Sequence, residues 1–321
     1  MTGLFDTAMD RAVVPGYTKI GYWVRRRGWD PDDPRPAALS DKRALVTGAN
    51  SGLGKAAALG LARLGATVHL VVRNEARGRE ALEELRRELP DADLHLEVCD
   101  VSDLDAVRRF ATELLERVDR VDVLVHNAGA LPPERTESVD GHEVSVATHV
   151  LGPVLMTDLL RPVLADHDSR VVLVASGGMY SQRLPVDDPD YRRGSYRGTV
   201  AYARSKRIQV AMTPLMQQRW SAQGISVHSM HPGWADTPGV ASSLPVFRAL
   251  TRPLLRDAVL GADTIVWLAA TDPAPPGGSL WQDRAQRPEH YRKSTRETEA
   301  ERQRMWSWVV DEAGLEHTED S

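Results

Sequence analysis

Residues 43–54 read Arg-Ala-Leu-Val-Thr-Gly-Ala-Asn-Ser-Gly-Leu-Gly, and this stretch decides the fold. A short apolar run ends at Thr47, glycines follow at Gly48, Gly52 and Gly54, and an alanine-rich helical pattern begins at once. Glycines at such a turn let backbone amides approach a phosphate at the positive N-terminus of a helix. The Gly-x3-Gly-x-Gly spacing differs from the general G-x-G-x-x-G fingerprint, so a tight turn without a ligand stays an alternative. Its place after the first predicted strand favours nucleotide binding.

Outward from this turn, the chain alternates between short β-branched runs and helical stretches. The predicted strands are 43–47, 67–72, 94–98, 121–126, 170–175 and 225–230. The predicted helices are 53–64, 75–88, 103–118, 201–220 (interrupted near Pro214), 257–270 and 297–313. Strands that alternate with helices pair in parallel through right-handed crossovers. The pattern therefore predicts an α/β Rossmann fold, a doubly wound and mostly parallel sheet in a single domain with an N-terminal arm and a C-terminal helical tail.

Composition excludes several classes of protein. The chain has 321 residues, 42% hydrophobic and 26% charged, which is ordinary for a globular protein and unlike a disordered or coiled-coil chain. Its formal net charge is −5 without a long basic block, so nucleic acid is not an expected partner. The single cysteine, Cys99, excludes an internal disulfide, and no apolar run reaches the ~18 residues of a membrane-spanning helix. These features predict a cytoplasmic protein.

The two ends of the chain differ in composition from its centre. Residues 1–40 combine aromatic and basic side chains with a turn-rich stretch, and we interpret them as an arm and linker. Residues 41–282 form the predicted Rossmann domain, and residues 283–321 form a tail with a helix. An aromatic and basic arm can dock on a membrane surface, here through residues 1–30. Packing of the aromatic side chains of the arm against its own domain is the commoner arrangement, and the membrane contact is the alternative to it.

Arg73 ends the second predicted strand, about 20 residues after the last glycine of the turn. In dinucleotide-binding folds this position carries a carboxylate for the ribose 2′-hydroxyl of NAD or an arginine for the 2′-phosphate of NADP. A guanidinium can fork onto a phosphate and stack on adenine. The sequence therefore favours NADP(H), with an ordinary solvent-exposed arginine as the alternative.

Tyr202 and Lys206 stand four residues apart on a predicted helix and therefore share one face. A phenol with its ordinary pKa near ~10 is a weak base at neutral pH, and a nearby cation lowers that pKa. Ser176 follows the fifth predicted strand, at the edge where open α/β sheets bind their ligands. The three residues are candidate catalytic groups, although a solvated tyrosine and lysine pair is the common alternative.

In combination these residues resemble the short-chain dehydrogenase/reductase superfamily, single-domain branch, over about residues 41–282. The matching segments are Thr47–Gly54, Cys99–Val101, Asn127–Gly129, Ser176, Tyr202 with Lys206, and Pro232–Thr237. Residues 72–78 are similar to the NADP-preferring, retinol-dehydrogenase-like members. The arm and the tail resemble, less specifically, the member-twelve group of the dehydrogenase/reductase series.

The resemblance implies NADP (NADPH) as cofactor, preferred over NAD, and a set of residues that bind it. These residues are Gly48, Asn50, Ser51, Gly52, Leu53, Gly54, Arg73, Asp100, Val101, Asn127, Ala128, Gly129, Tyr202, Lys206, Pro232, Gly233 and Thr237. The resemblance also implies that Ser176 and Tyr202 bind the substrate oxygen. Tyr202 would act as general acid or base, while Lys206 would lower its pKa and hold the nicotinamide ribose.

Two features depart from the family pattern. His149 stands where family members carry an asparagine that completes a catalytic tetrad with a water relay toward the lysine. An imidazole can bind a water but titrates near neutral pH, so we expect His149 to be a fourth catalytic residue with an altered or weakened relay. Residues 179–199 lengthen the segment between Ser176 and Tyr202 and predict a polar loop over the mouth of the site. Its Asp-Pro pairs indicate turns, and no metal is expected.

The predicted function is an NADP(H)-dependent oxidoreductase that interconverts a carbonyl and an alcohol on an apolar small molecule. The apolar segment between Gly233 and Leu255 is interpreted as a substrate lid, which favours an apolar substrate. The alternative is a nucleotide-binding sensor or scaffold with little turnover, because His149 replaces the usual asparagine. The sequence leaves open the substrate, the favoured direction and whether the protein is an oligomer.

Overall fold

The computed structural model describes residue 9 and residues 14–236 and 251–317. The predicted cofactor residue Thr237 and the core of the predicted lid, 237–250, lie outside the described residues. Residues 1–8 and 10–13 of the predicted arm lie outside them as well.

The centre of the molecule is one eight-stranded sheet. Its strands are β1 Arg43–Thr47, β2 Thr67–Val72, β3 Leu94–Val98, β4 Val123–His126, β5 Ser169–Val174, β6 Ile225–Met230, β7 Ser279–Gln282 and β8 Ala285–Arg287. They are ordered β3-β2-β1-β4-β5-β6-β7-β8; β7 and β8 are antiparallel, and the other neighbours are parallel. The doubly wound, mostly parallel sheet is confirmed, and the two last strands are additions that the sequence pattern does not predict.

Helices cover both faces of this sheet. They are α1 Lys19–Arg26, α2 Gly52–Arg63, α3 Glu75–Glu88, α4 Leu104–Leu115, α5 Gly152–Leu159, α6 Gly198–Trp220, α7 Ala258–Ala270 and α8 Glu299–Ala313. Shorter helical segments are Val14–Tyr17, Val144–Val146, Arg161–Leu164, Gly177–Ser181, Ser221–Gln223, Arg252–Leu254 and Lys293–Thr295. A π-helical turn, Ala147–Leu151, leads into α5. The predicted helices correspond to α2, α3, α4, α6, α7 and α8.

The predicted interruption of α6 near Pro214 is wrong, because the helix runs through this residue without a break. A proline inside a helix removes one backbone hydrogen bond. Here Val210 and Leu215, on either side of it, are both buried in the core. Packing on both halves of α6 therefore holds the helix together despite the missing bond.

Alternating strand residues fill two packed layers. The register of β1 on β4 sets Leu45 beside Leu124 and Val46 beside Val125. The two leucines pack with buried residues of α4, α5 and α6, and the two valines pack with those of α2 and α7 on the opposite face. Because helices cover both faces, a ligand reaches this sheet at the ends of its strands.

The described part of the N-terminal arm packs against its own domain. Asp283 is buried beside two guanidinium groups: Arg25 of α1 lies 2.6 Å from its Oδ2, and Arg256 binds both of its oxygens. Arg256 also donates to the main-chain oxygens of Gly16 and Thr18. None of the helices in the described residues has both the length and the apolar character needed to cross a membrane.

Candidate active site

The glycine turn after β1 brings two stretches of backbone unusually close together. Gly48 and Gly52 have φ angles of 66° and 52°, the left-handed region that favours glycine. A Cβ on Gly54 would lie 2.4 Å from the Gly48 carbonyl oxygen and from the Asn127 amide nitrogen. Ser51 precedes α2 without a side-chain capping bond, and the first turn of a helix has amides without intrahelical partners. This cradle fits the pyrophosphate of a dinucleotide.

The end of β4 is tied to the same turn. Thr47 Oγ1 accepts hydrogen bonds from the backbone amides of Asn127 and Ala128, both at 3.0 Å, and Asn127 Nδ2 donates to the Thr47 carbonyl at 2.9 Å. These bonds fix the Asn127-Ala128-Gly129 segment beside the glycine cradle. Thr47 begins the matching segment Thr47–Gly54 but is not among the predicted cofactor-binding residues, and the structure shows that it positions this part of the site.

At the end of β2, most of the Arg73 side chain is exposed, with a relative accessibility of 73%. Its nearest charged partner is Asp100, whose Oδ2 lies 3.9 Å from Arg73 Nη1. Asp100 Oδ1 accepts from the backbone amide and the hydroxyl of Ser102. The guanidinium of Arg73 is thus held only loosely, and its geometry leaves it able to turn toward a phosphate.

The three candidate catalytic residues meet at the carboxyl end of β5. Ser176 follows the strand in an extended conformation, and its hydroxyl accepts from the Gly178 amide at 3.3 Å. It lies close enough to Tyr202 of α6 to lower the pKa of that phenol. Lys206, one turn further along α6, donates from Nζ to the Val174 carbonyl at 2.6 Å and to Gln209 Oε1 at 3.2 Å. The Lys206 ammonium lies 5.8 Å from the centre of the Tyr202 ring. The geometry thus assembles a hydroxyl, a phenol and an amine around one point.

Burial controls the protonation of this group. It raises the pKa of Tyr202, and the nearby Ser176 hydroxyl opposes that rise. It lowers the pKa of Lys206 to about 7. The expected lowering of the Tyr202 pKa by Lys206 is not what the structure shows, because the ammonium binds the oxygens of Val174 and Gln209 and itself titrates near neutral pH. Tyr202 is therefore a protonated phenol at neutral pH, suited to donating a proton.

His149 lies in the π-helical turn, 1% exposed, with both ring nitrogens engaged. Nε2 accepts from the backbone amide of Ala130 at 3.0 Å, so the ring proton is on Nδ1, which donates to Ser205 Oγ at 2.8 Å. Burial, assisted by the charge of Lys206, holds the pKa of His149 well below its ordinary value. The expected titration of this imidazole near neutral pH is corrected: the ring is a neutral brace between two backbone segments.

Pro232 and Gly233 follow β6, and the next residue, Trp234, donates its backbone N–H to the Tyr17 carbonyl of the N-terminal arm at 2.7 Å. Gly233 has a φ angle of 72°, and a Cβ at this position would lie 2.6 Å from the Tyr17 carbonyl oxygen. The Pro232 carbonyl accepts from Arg256. The arm therefore packs against this predicted cofactor-binding segment. This contact joins residues that are far apart in the sequence.

The loop over residues 179–199 is fixed by ion pairs. Asp190 binds His142 and Arg192, while Asp188 accepts from the backbone amides of Arg192 and Arg193. The hydrogen bonds of these carboxylates go to protein groups that orient the loop. In the tail, Glu289, His290 and Glu297 also lie close together, and two arginines, Arg207 and Arg302, lie against their carboxylates.

A glycine cradle at the first strand, polar groups at the ends of β4 and β5, and a buried tyrosine and lysine pair define a Rossmann-fold protein of the dehydrogenase class. Residues 42–188 match the family model described as short chain dehydrogenase. The chain is 40% identical over 279 residues to dehydrogenase/reductase SDR family member 12 of Bos taurus, covering 85% of this chain and 86% of that protein. It is 33% identical over 255 residues to retinol dehydrogenase 14 of Mus musculus, covering 74% and 75%. The chain belongs to the short-chain dehydrogenase/reductase family, in its retinol-dehydrogenase-like group.

Solved structures share this architecture. An uncharacterised protein from Mycobacterium paratuberculosis superposes with a TM-score of 0.70 at 28% identity, covering 88% of this chain and 98% of that one. A protein from Beutenbergia cavernae, described as an NAD(P) dependent gluconate 5-dehydrogenase with bound NADP at low occupancy, gives 0.60 at 26% identity, covering 74% and 92%. The comparisons confirm the predicted fold and family.

Proposed function

We propose that this protein is an NADP(H)-preferring oxidoreductase that interconverts a carbonyl and an alcohol on an apolar small molecule. The observation that carries the proposal is the placement of Ser176, Tyr202 and Lys206 around one point beside the glycine cradle. A protonated phenol, a hydroxyl and an amine in this arrangement can bind a carbonyl oxygen and supply the proton for its reduction.

The cofactor, when bound, supplies or accepts the hydride, and the residues of this chain handle the oxygen and its proton. Ser176 orients the carbonyl oxygen toward Tyr202. In reduction the Tyr202 phenol donates its proton to that oxygen, and in oxidation the phenolate accepts the alcohol proton. Because burial keeps the phenol protonated, Tyr202 is ready to donate a proton to a carbonyl oxygen at neutral pH.

Residues of the cradle and the end of β2 are the proposed cofactor site. Gly48, Gly52 and Gly54 leave room for a pyrophosphate at the N-terminus of α2. Arg73, exposed at the end of β2, is the proposed partner of the 2′-phosphate that distinguishes NADP from NAD. Lys206 has three N–H groups, two of which bind protein oxygens, and the third is available for the nicotinamide ribose.

Aromatic side chains near Ser176 support an apolar substrate. The Tyr17 ring lies 2.9 Å from the position that a Cβ on Gly177 would take, directly after Ser176. Tyr17 also packs edge-on against His231, and Tyr180 packs on Tyr291 with ring centres 4.3 Å apart. These rings come from the arm, the loop after β5 and the tail. They give this side of the site an apolar, aromatic character.

The deciding experiment is turnover of a panel of aldehydes, ketones, retinoids and steroids with NADPH and with NADH. We expect turnover with NADPH and at least one carbonyl substrate. If the protein were instead a nucleotide-binding sensor, it would bind the cofactor without turnover of any substrate in the panel. For the substrate found, Tyr202→Phe should reduce turnover by ~10²–10⁴-fold, with NADPH affinity changed little, because it removes the proton donor and keeps the ring. The matched control is Tyr196→Phe, which removes a tyrosine hydroxyl that binds Glu143. Wild-type turnover within a few-fold in Tyr202→Phe would show that another group donates the proton.

We also propose that α1 contacts a membrane surface. Ile20 and Trp23 are 51% and 49% exposed, although the helix is packed on the domain through its other face. The Arg26 guanidinium lies 5.0 Å from the centre of the Trp23 ring, and Lys19 and Arg27 are exposed nearby. Exposed apolar side chains flanked by cations suit an anionic lipid surface.

A further inference from the structure

Gln209 lies one turn beyond Lys206 on α6, is 3% exposed, and joins two parts of the active site. Its Oε1 accepts from Lys206 Nζ at 3.2 Å, and its Nε2 donates to the His149 carbonyl oxygen at 3.0 Å. An ammonium only donates and a carbonyl oxygen only accepts, so the chemistry of the two partners allows one orientation of the amide. Gln209 is therefore a fixed bridge between the lysine and the π-helical turn.

The His149 carbonyl is the acceptor of this amide. In an α-helix it would accept from the backbone N–H four residues ahead, but that residue is Pro153, which has no N–H. A buried carbonyl without a partner is costly. The Gln209 amide supplies a donor in place of the absent Pro153 N–H, a role that suits a polar residue at this buried position of α6.

The Lys206 ammonium depends on neutral acceptors. The titratable groups that face it are His126 from the end of β4, His149 from the π-helical turn, and Tyr202 on its own helix. None of these three is a carboxylate, and burial holds the pKa values of both histidines low, so they stay neutral. The oxygens that bind the ammonium are the Val174 carbonyl and Gln209 Oε1.

A second path links His149 to Tyr202. The His149 ring donates to Ser205 Oγ, which in turn donates to the Tyr202 carbonyl at 2.8 Å. The ring thus fixes the backbone of α6 at Tyr202, while the carbonyl of His149, through Gln209, fixes the ammonium of Lys206. Together, the two paths fix the position of Tyr202, the proposed acid, relative to the Lys206 amine.

We propose that Gln209 is a positioning residue of the active site, which couples the Lys206 ammonium to the His149 carbonyl and directs the remaining N–H of Lys206 toward the nicotinamide ribose. The last step of this inference rests on the proposed function, whereas the coupling itself does not. The side-chain hydrogen bonds of Gln209 go to Lys206 and to the His149 carbonyl, so it acts on the site through Lys206.

The coupling is tested by the titration of Lys206 itself. Replacing Gln209 by methionine keeps the length of the side chain but removes both the acceptor and the donor, so the charged amine is less stabilised and its pKa should fall below about 7. Replacing it by glutamate keeps an acceptor and adds negative charge, so the pKa should rise. Opposite shifts in Gln209→Met and Gln209→Glu are the expected signature.

The measurement is NMR of protein labelled at lysine, because the chain has only five lysines, at positions 19, 42, 55, 206 and 293. The spectrum of Lys206→Arg identifies the Lys206 signal. Titrations are recorded for the full chain with and without NADPH. The control is Gln217→Met, another glutamine of α6, whose side chain binds the backbone of β6 and does not contact Lys206.

We expect the Lys206 pKa to fall by about one unit or more in Gln209→Met, to rise in Gln209→Glu, and to stay at the wild-type value in Gln217→Met. The same order of the three variants should appear in the pH dependence of NADPH binding.

An unchanged Lys206 titration in Gln209→Met overturns the coupling. If that variant does not fold, the direction of the shift in Gln209→Glu decides: a rise supports the coupling and no rise overturns it. Absence of turnover in wild type, with the lysine shifts present, would contradict the proposed function and leave the coupling standing.

Discussion

At Tyr202 and Lys206, one physical effect acts on two groups with opposite consequences. Burial disfavours charge, so it raises the pKa of the phenol and lowers the pKa of the amine. Both groups are therefore biased toward their neutral forms in the structure described. The folded chain therefore carries the free-energy cost of burying the Lys206 ammonium, and it does so before any cofactor binds.

That cost predicts a gain in stability when Lys206 is removed. The pKa of Lys206 is about 7 in the folded chain against 10.5 ordinarily, so the unfolded state binds more protons than the native state between these values, and wild-type stability rises with pH across this window. Lys206→Met should therefore raise the free energy of unfolding at pH 6 to 7 by on the order of 2 kcal/mol while abolishing turnover. Urea unfolding at pH 6 and pH 9 measures this.

The pH dependence is the discriminating part of that measurement. The difference between Lys206→Met and wild type should be largest below about pH 7 and shrink as pH rises toward the ordinary lysine pKa. Lys293→Met, which removes an exposed lysine, serves as control and should show no such trend. A difference that does not vary with pH would mean that Lys206 is not titrating in the folded chain as burial predicts.

His149 gives a prediction that reverses the expectation from sequence. Because its ring is neutral, with Nε2 accepting from Ala130 and Nδ1 donating to Ser205, His149→Asn should leave the shape of the pH–rate profile between pH 5 and 8 unchanged. The shorter side chain cannot keep both bonds, so stability should fall by about 1 kcal/mol or more. Rate profiles and thermal unfolding of the same two samples check both statements. An ionisation near pH 6.5 that disappears in the variant would restore the titrating role.

At the scale of elements, the sequence predicts whatever is decided locally. The strands β1 to β6 are runs of β-branched residues, and the glycine turn is a contiguous motif, so both follow from neighbours in the chain. Strands β7 and β8 are only four and three residues long and carry no alternating pattern. They exist because β7 pairs with β6, a contact that no local pattern encodes.

The residues of the site also fall into two groups: those that local motifs predict and those that only the fold brings together. Ser176, Tyr202 and Lys206 are recognisable from their motifs, whereas Gln209 acquires its role only from contact with His149, a residue distant in sequence. No sequence motif predicts the π-helical turn either, although Pro153, in the first turn of α5 directly after it, cannot donate a backbone N–H into it. Buried polar residues that follow the Tyr202 and Lys206 pair on the same helix, such as Gln209 on α6, are the signal that could have found this network.

The end of β2 carries the prediction on cofactor preference. A charge-assisted bond between Arg73 and the 2′-phosphate should contribute about 1.5–3 kcal/mol, so NADPH should bind roughly 10- to 150-fold more tightly than NADH. Arg73→Asp should remove or reverse this ratio without loss of stability, because Arg73 is mostly exposed. Titration of both cofactors against both proteins gives the ratios, with Arg79→Asp as control on the neighbouring helix. Similar affinities in wild type would exclude Arg73 as the selector.

At the scale of the whole molecule, the two ends of the chain are joined to the catalytic domain by different means. The arm is held by the buried carboxylate of Asp283, between Arg25 and Arg256. The tail is held mainly by apolar packing, with Met305 and Val309 of α8 inside the core, and also by the ion pairs of Arg207 with Glu289 and Glu297. Neither end is a separate unit in the described residues. The arm has therefore two faces, one that supports the site and one exposed to solvent.

The exposed face of the arm gives the last prediction. Because Ile20 and Trp23 are about half exposed beside three basic residues, the full chain should bind vesicles that contain phosphatidylserine more tightly than vesicles of phosphatidylcholine alone, and less tightly as salt increases. Replacing Ile20 and Trp23 together by serine should weaken binding by at least about tenfold, since each apolar side chain contributes ~1.5 kcal/mol or more when buried. The control is Val139→Ser, which changes an 80% exposed apolar residue away from the arm. Equal sedimentation of the wild type and the double variant with anionic vesicles would show that α1 does not contact lipid, whereas loss confined to the double variant, with NADPH binding intact, would assign the membrane contact to this helix.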